Sequence, residues 1–138
     1  MNLLYLLRPK DETVYISSDA TVRQGLEKMK VHGYTAIPVV SGTGEYVGTV
    51  SEGDFLWALT GSGSVKQLEH QPLTDIIRTK RDKAVTVSAD MNELLLLIME
   101  QNFVPVTDDR GKFIGIVTRR DIIRYFYNKE QKESENSL

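Results

Sequence analysis

Apolar and polar positions follow two alternating patterns along the chain. The first sixty residues predict a strand, a helix, two strands and a second helix, at 14–16, 21–32, 36–40, 46–50 and 51–59. Val22, Leu26 and Met29 place an apolar face on the first helix, and Gly33 is typical of the residue that ends one. Segment 41–44 predicts the turn between the last two strands.

The rest of the chain predicts the same order of elements. They are a short helix from Pro72, a strand at 84–87, a helix at 91–101, strands at 104–107 and 113–117, and a last helix at 119–128. The helix at 91–101 is apolar nearly all round, which predicts deep burial. Segment 61–71 predicts a linker and the polar segment 129–138 a disordered tail, which leaves domains at 1–60 and 72–128.

The two halves carry the same residues at a constant spacing. The matched pairs are Pro38 and Pro105, Gly44 and Gly111, Gly48 and Gly115, Ser51 and Thr118, and Asp54 and Asp121, each 67 residues apart. Upstream the spacing is 71, between Asp19 and Asp90, so the second half lacks about one helical turn. A single half of about 60 residues would bury little surface, so we expect the halves to pack on each other.

Amino-acid composition and net charge exclude several classes of protein. The 138 residues carry a net charge of -2, which gives no bulk positive field for a nucleic acid. Cysteine is absent, which excludes disulfides and cysteine-ligated zinc and agrees with a cytoplasmic location. No apolar stretch approaches the ~20 residues of a membrane helix, so no membrane partner is expected.

One motif occurs in both halves behind a Pro-Val strand. It has the form Gly-x-Val-(Ser/Thr)-x-x-Asp and occupies 48–54 and 115–121. Two copies in register resemble the CBS domain pair, or Bateman module, over about residues 3–128. The resemblance implies an α/β (α+β) fold, with two pseudo-symmetric β-α-β-β-α halves packed through their sheets. It also implies a flat homodimer.

A narrower resemblance rests on three features. Segments 33–39 and 113–120, with the shortened helix of the second half, are similar to the stand-alone cyclic-di-AMP-binding CBS proteins of Gram-positive bacteria. Those proteins carry a lysine just before the first strand, where Glu12 stands in this chain. An acid at that position would repel a phosphate group.

The resemblance implies two ligand sites between the halves. The first, site A, would use Thr13, Val14, Tyr34, Thr35, Ala36, Thr118, Arg119, Arg120 and Asp121. The second, site B, would use Lys83, Ala84, Asn102, Phe103, Ser51 and Asp54. No catalytic or metal-binding residue is expected.

The residue types of site A suit an adenine nucleotide. The carboxylate of Asp121 can accept hydrogen bonds from both ribose hydroxyls. Thr118 stands at a predicted helix start, where free N–H groups attract phosphate, and Arg119 and Arg120 can neutralise phosphate charge. Apolar strand residues can form a slot for the base, and the ring of Tyr34 can stack on it.

Each of these residues also has a purely structural interpretation. The two Ser/Thr-x-x-Asp motifs are capping boxes worth about 1 kcal/mol to each helix, a role compatible with ligand binding. Tyr34 can equally be a core aromatic, and the arginines can be solvated. Site A is expected to bind better than site B, because site B has Glu52 in place of an arginine and Phe103 in place of Ala36.

Catalytic chemistry is poorly represented. His32 and His70 are the only histidines, and neither lies in a metal or triad pattern. We therefore expect a regulatory sensor of AMP, ATP or cyclic di-AMP without enzymatic activity or cofactor. It would signal to a protein partner in trans by a conformational or oligomeric change, and Tyr125 and Phe126 on the last helix are candidate contact residues. The alternative is an interaction or scaffold protein with no nucleotide ligand.

Overall fold

The computed structural model describes residues 2–77 and 82–136. The first half contains β1 (Arg8–Pro9), β2 (Ile16–Ser17), α1 (Val22–His32), β3 (Ala36–Val40), β4 (Tyr46–Ser51), α2 (Glu52–Gly61) and α3 (Val65–Glu69). The second half contains β5 (Val85–Thr86), α4 (Met91–Ile98), β6 (Phe103–Thr107), β7 (Phe113–Thr118) and α5 (Arg119–Asn136). Short 3-10 turns lie at Leu3–Tyr5, Lys10–Glu12 and Leu73–Asp75. The predicted mixed α/β fold is confirmed.

Helix α1 begins and ends where the sequence predicts. Thr21 and Gln24 form a reciprocal capping box, in which each side chain accepts a hydrogen bond from the other residue's backbone N–H. At the other end Gly33 adopts a left-handed conformation with φ of 68°, and its N–H donates to the carbonyl of Met29.

The two sheets share one pattern of pairing. One has the strand order β2-β3-β4 and the other β1-β7-β6-β5. Ala36 pairs with Ser51 in the first sheet, and Phe103 pairs with Thr118 in the second. Both antiparallel pairs shift register at the same place, between Val39 and Val40 and between Val106 and Thr107. The spacing of 67 residues in the sequence is therefore a structural repeat.

The halves join directly through their sheets. The N–H of Tyr46 donates to the carbonyl of Gly111 at 3.3 Å, and the N–H of Phe113 donates to the carbonyl of Gly44 at 2.8 Å. The rings of Tyr46 and Phe113 stack with centroids 6.4 Å apart. These reciprocal bonds relate one half to the other by a pseudo-twofold axis.

Each half buries an apolar segment that the sequence assigned elsewhere. Leu3, only 1% exposed, belongs to the core of the second half. Leu68 and Leu73 belong to the core of the first half, together with Ile76 and Ile77. Segment 61–71 is therefore more than a linker, since it contains α3 and a core leucine. A half of this size needs the added apolar surface to form a stable core.

Two helices differ from the prediction. The helix predicted to be deeply buried buries only Leu94 and Ile98, while Leu96 is 70% exposed and Met99 beyond its end 77%. Only one face of it packs on a sheet. Helix α5 continues to Asn136, where a disordered tail from 129 was expected, because Lys, Glu and Gln are strong helix formers. Residues 137 and 138 lie outside the described residues. Among the described helices, none combines the length and apolarity needed to cross a bilayer.

Candidate functional site

Two clefts lie along the seam between the halves, and we name them cleft A and cleft B. Thr35 and Ala36 from the first half and Asn102 and Phe103 from the second line both clefts. Each of these pairs stands at the start of a central strand, so the pseudo-twofold repeat places them on opposite sides of one shared wall. Phe103 therefore belongs to both clefts, whereas the sequence predicted it to crowd site B alone.

Cleft A has a volume of about 220 Å³. It brings together six of the nine residues predicted for site A, namely Thr13, Val14, Tyr34, Thr35, Ala36 and Thr118. Its other lining residues are Arg8, Glu12, Pro38, Asn102, Phe103 and Ile116. Because β2 pairs with β3 only from Val39 onward, the edge of β3 beside Ala36 and Pro38 is not covered by β2. Pro38 lacks a backbone N–H, and at this uncovered edge that costs the sheet no hydrogen bond.

Asp121 lies beside cleft A and is held by an arginine from the other end of the chain. The Nε of Arg8 donates to one carboxylate oxygen at 2.8 Å, and its Nη2 donates to the other at 3.2 Å. The N–H of Asp121 donates to Oγ1 of Thr118 at 3.1 Å, which is half of the predicted capping arrangement. The hydrogen bonds from Arg8 are the main cause that lowers the pKa of Asp121, and Thr118 and the charge of Arg124 add to it.

The arginine pair that was predicted for site A does not line the cleft. The Nε of Arg119 donates to the carbonyl of Ile98 at 2.8 Å, at the C-terminal end of α4. A cation there satisfies a carbonyl that the helix leaves free, which explains Arg119 without an anionic ligand. Arg120 is exposed to solvent. The arginine that cleft A contains is Arg8.

Tyr34 is an exposed aromatic at the mouth of cleft A. Its side chain is 50% exposed, and its ring stacks on that of His32 with centroids 5.9 Å apart and planes 10° apart. The interpretation of Tyr34 as a core residue is therefore wrong. A ring fixed on one face and open on the other can receive a base.

Cleft B is larger and more acidic. Its volume is about 750 Å³, and four of the six residues predicted for site B line it: Ser51, Lys83, Asn102 and Phe103. Glu52, Asp82 and Glu100 also line it, against the single cation Lys83 among the lining residues. Three carboxylates disfavour a phosphate, which agrees in sign with the unfavourable role expected of Glu52.

Two other residues predicted for site B do not line cleft B. Asp54 is only 4% exposed, and its carboxylate accepts the N–H of Ser51 at 2.8 Å, so it caps α2 and faces a separate depression beside Trp57. Ala84 is half-buried next to β5. The capping interpretation therefore describes Asp54 in this structure, while Asp121 lies beside cleft A.

Gln101 fixes the wall of cleft B. This side chain is 3% exposed; it accepts the N–H of Lys83 at 3.0 Å and donates to the carbonyls of Lys83 and Phe103 at 3.2 and 3.1 Å. Gln101 is the repeat counterpart of Tyr34, 67 residues later. Cleft B thus has a structural amide where cleft A has an aromatic ring.

Comparison with known proteins gives the family. Residues 7–61 and 72–128 match the CBS domain. This chain belongs to the CBS domain family. The matched ranges cover both halves, so the predicted tandem CBS pair is confirmed.

Solved structures share the whole CBS pair. CbpB in complex with c-di-AMP superposes with a TM-score of 0.88 at 20% identity, covering 99% of this chain and 91% of that one. CbpB of Listeria monocytogenes in complex with c-di-AMP gives 0.83 at 21%, covering 94% and 97%. CBSX2 in complex with AMP gives 0.76 at 22%, covering 94% and 98%. The TM-scores establish a common fold, and at these sequence identities they establish nothing more.

Sequence relatives are longer proteins. An uncharacterised protein of Methanopyrus kandleri is 32% identical over 101 residues, which is 70% of this chain and 49% of that protein. An uncharacterised protein of Methanocaldococcus jannaschii is 28% identical over 130 residues, 81% of this chain and 45% of that protein. The CBS pair therefore spans about half the length of these relatives.

Arg8 is the charged residue of cleft A that the sequence did not indicate, and Pro38 and Ile116 were also missed. Arg8 reaches cleft A because β1 pairs antiparallel with β7, with Arg8 opposite Ile116 and Pro9 opposite Gly115. A strand glycine marks either a bulge or a close backbone approach, and Gly115 proves to be a close approach. A Cβ at this position would lie 2.1 Å from the carbonyl oxygen of Arg8. That glycine was the one available signal, although it does not name its partner.

The ion pair between Arg8 and Asp121 predicts that the pKa of Asp121 lies below the ordinary aspartate value. Ionised Asp121 contributes stability above the ordinary aspartate pKa of about 3.9, and this is lost as the pH falls through its lowered folded value. We expect the side-chain carboxyl carbon of Asp121, followed by NMR, to titrate below about 3.9. The midpoint should rise in Arg8→Gln and stay in place in Arg23→Gln, since Arg23 pairs with Glu27 on α1. An unchanged midpoint in Arg8→Gln would contradict the ion pair.

Proposed function

We propose that this CBS pair binds an adenine nucleotide in cleft A and acts as a regulatory sensor. One observation carries the proposal: cleft A has an exposed aromatic and an uncovered strand edge, and the carboxylate of Asp121 lies beside it at the start of α5. These three features match the base, the polar edge of the base and the ribose of one ligand. The CbpB and CBSX2 complexes, which hold c-di-AMP and AMP on the same fold, support the proposal.

Each part of the ligand has a partner of suitable chemistry. The base would lie against Ala36 and Val14, with Tyr34 on its open side. Its polar edge would pair with backbone groups of β3 that lie beyond the end of β2. The ribose hydroxyls would donate to Asp121, as acceptor chemistry requires. Phosphate would extend toward the start of α5.

Cleft A is proposed to be the preferred of two sites. Cleft B has three acidic lining residues. Gln101, which stands there in place of Tyr34, already makes hydrogen bonds to the backbone. Desolvating a phosphate next to carboxylates is costly. A nucleotide entering cleft B would therefore bind more weakly.

The proposed output is regulatory. Within residues 2–77 and 82–136, no three His, Asp or Glu side chains are grouped to hold a metal. We propose a cytoplasmic protein without enzymatic activity that signals to a protein partner in trans. A CBS-type interaction protein with no nucleotide ligand is the second candidate, favoured by the fact that Arg8 already engages the carboxylate of Asp121.

A ligand panel tests the proposed function. We expect isothermal titration with AMP, ATP and cyclic di-AMP to show saturable binding of at least one of them. NMR shift changes should centre on Tyr34 and Thr118, with smaller changes at Gln101. Absence of binding by all three would refute the sensor and favour the interaction protein. Nucleotide turnover proportional to protein concentration would instead indicate an enzyme.

A homodimer is proposed from the exposed apolar side chains of α5. Ile123 is 58% exposed and Tyr127 61%, and they lie one turn apart on the helix. Tyr125 and Phe126, the contact residues expected from the sequence, are half-buried, and Phe126 packs on the second core. The exposed stripe is therefore Ile123 and Tyr127.

Charge on this stripe is expected to dissociate the dimer. Ile123→Glu would bury an unpaired carboxylate in the contact, a cost of several kcal/mol. Sedimentation equilibrium should show a dimer for the native chain and a monomer for the variant. Glu130→Lys, which changes charge on the exposed end of the same helix, is the control. A monomeric native chain, or a dimer that tolerates Ile123→Glu, would contradict this interface.

A further inference from the structure

The carboxylate proposed for ribose is already engaged by a cation. Arg8 gives one donor to each oxygen of Asp121, at 2.8 and 3.2 Å. Two ribose hydroxyls would also bring one donor to each oxygen. Each oxygen has a second lone pair, but Arg8 lines cleft A whereas Asp121 does not, so the guanidinium lies on the cleft side of the carboxylate. A ribose that reaches Asp121 from cleft A therefore displaces Arg8.

The displaced guanidinium stays within the cleft. The backbone of Arg8 is paired with Ile116 of β7. The next residue, Pro9, is also held, because Oγ1 of Thr13 donates to its carbonyl at 2.8 Å. The side chain of Arg8 is 49% exposed, so it can turn without disturbing a core. Arg8 thus remains a cation at the wall of cleft A after it leaves Asp121.

The energetic consequence depends on whether the ligand carries a phosphate. A nucleoside would replace an ion pair by hydroxyl hydrogen bonds and leave Arg8 without its partner. A nucleotide offers phosphate oxygens, which accept a guanidinium in the same two-pronged geometry. Leaving a charge unpaired for one ligand and not for another is a source of selectivity.

We propose that Arg8 makes cleft A selective for phosphorylated adenine ligands, because it occupies Asp121 until a phosphate accepts it. The inference rests on the proposed nucleotide site and adds a specificity-determining residue to it. Glu12 is the competing acceptor, since it lines the same cleft. If Glu12 received the displaced Arg8, a nucleoside would lose nothing and the selectivity would vanish.

The test compares adenosine with AMP by isothermal titration. For the native chain we expect AMP to bind about tenfold tighter than adenosine or more, the scale of one charge-assisted pair. In Arg8→Gln, adenosine should bind about tenfold tighter because no ion pair has to be broken. AMP should change little, because in the native chain Arg8 exchanges the carboxylate of Asp121 for the phosphate, so the ratio approaches one. Arg8→Lys keeps the charge without the fork and should retain part of the preference. Arg23→Gln, in an ion pair on α1, should leave both affinities unchanged.

The outcomes separate this inference from the proposed function. Native protein that binds adenosine as tightly as AMP overturns the inference and leaves the nucleotide site standing. The same conclusion follows if Arg8→Gln keeps the native ratio of adenosine to AMP affinity within about twofold, once circular dichroism has shown that the variant is folded. Native protein that binds neither compound, nor cyclic di-AMP, overturns both.

Discussion

Replacing Asp121 by alanine is expected to weaken the binding of AMP by about tenfold. Two hydrogen bonds from the ribose to a charged acceptor are lost, an effect of about a hundredfold, but the ligand no longer has to break the ion pair with Arg8, which offsets about tenfold. Arg8 keeps its charge in this variant, so the loss falls on the ribose contact and adenosine should weaken as much as AMP. Isothermal titration of both compounds measures the effect.

Two further variants interpret the result. Asp109→Ala removes an exposed carboxylate from the turn of the same half and should bind as the native chain does. Asp54→Asn removes the repeat counterpart while leaving an oxygen to accept the N–H of Ser51. Equal losses in Asp54→Asn and Asp121→Ala would contradict the preference for cleft A. A full-affinity Asp121→Ala would remove this residue from the site.

Replacing Gly115 by alanine is expected to lower the free energy of unfolding by about 3 kcal/mol. Two causes combine. The added Cβ would lie 2.1 Å from the carbonyl oxygen of Arg8, so β1 must move off β7. The backbone φ of 152° is one that side chains rarely adopt. Urea unfolding followed by circular dichroism measures the change.

The contact and the backbone strain can be separated. Gly111 has a φ of 83° but open space around its Cβ position, so Gly111→Ala measures strain alone. Gly61→Ala, with open space and no positive φ, should change stability little. A loss in Gly115→Ala no larger than in Gly111→Ala would show that β1 does not press on β7. Displacement of β1 should also lower the preference for AMP over adenosine, because β1 carries Arg8.

The sequence predicted the repeated architecture because its motifs and helix ends depend on residues that are close together in the chain. The register of Pro38 with Pro105 and of Asp54 with Asp121 gave the two halves, and Thr21 and Gly33 gave the limits of α1. Half of the residues that line cleft A followed from the family resemblance, because they stand at the strand starts and junctions that the motif marks. These features depend on neighbours in sequence.

The parts that were missed depend on contacts distant in sequence. Nothing near Arg8 signals that it meets Asp121, and nothing near Arg119 signals the carbonyl of Ile98. The exchange of Leu3 and Leu73 between cores likewise has no local pattern. Capping and ligand roles of a Ser/Thr-x-x-Asp motif look alike in sequence, and only burial separated Asp54 from Asp121.

The pairing of β1 with β7 also fixes the order in which the protein can become functional during synthesis. Arg8 leaves the ribosome before its partner Asp121, which lies 113 residues later in the chain. Until β7 has been made, β1 has no strand to pair with. A nascent chain that has released only the first half can form α1 and β3, but it cannot yet assemble cleft A. Ligand recognition therefore begins only after Asp121 and the start of α5 have left the ribosome.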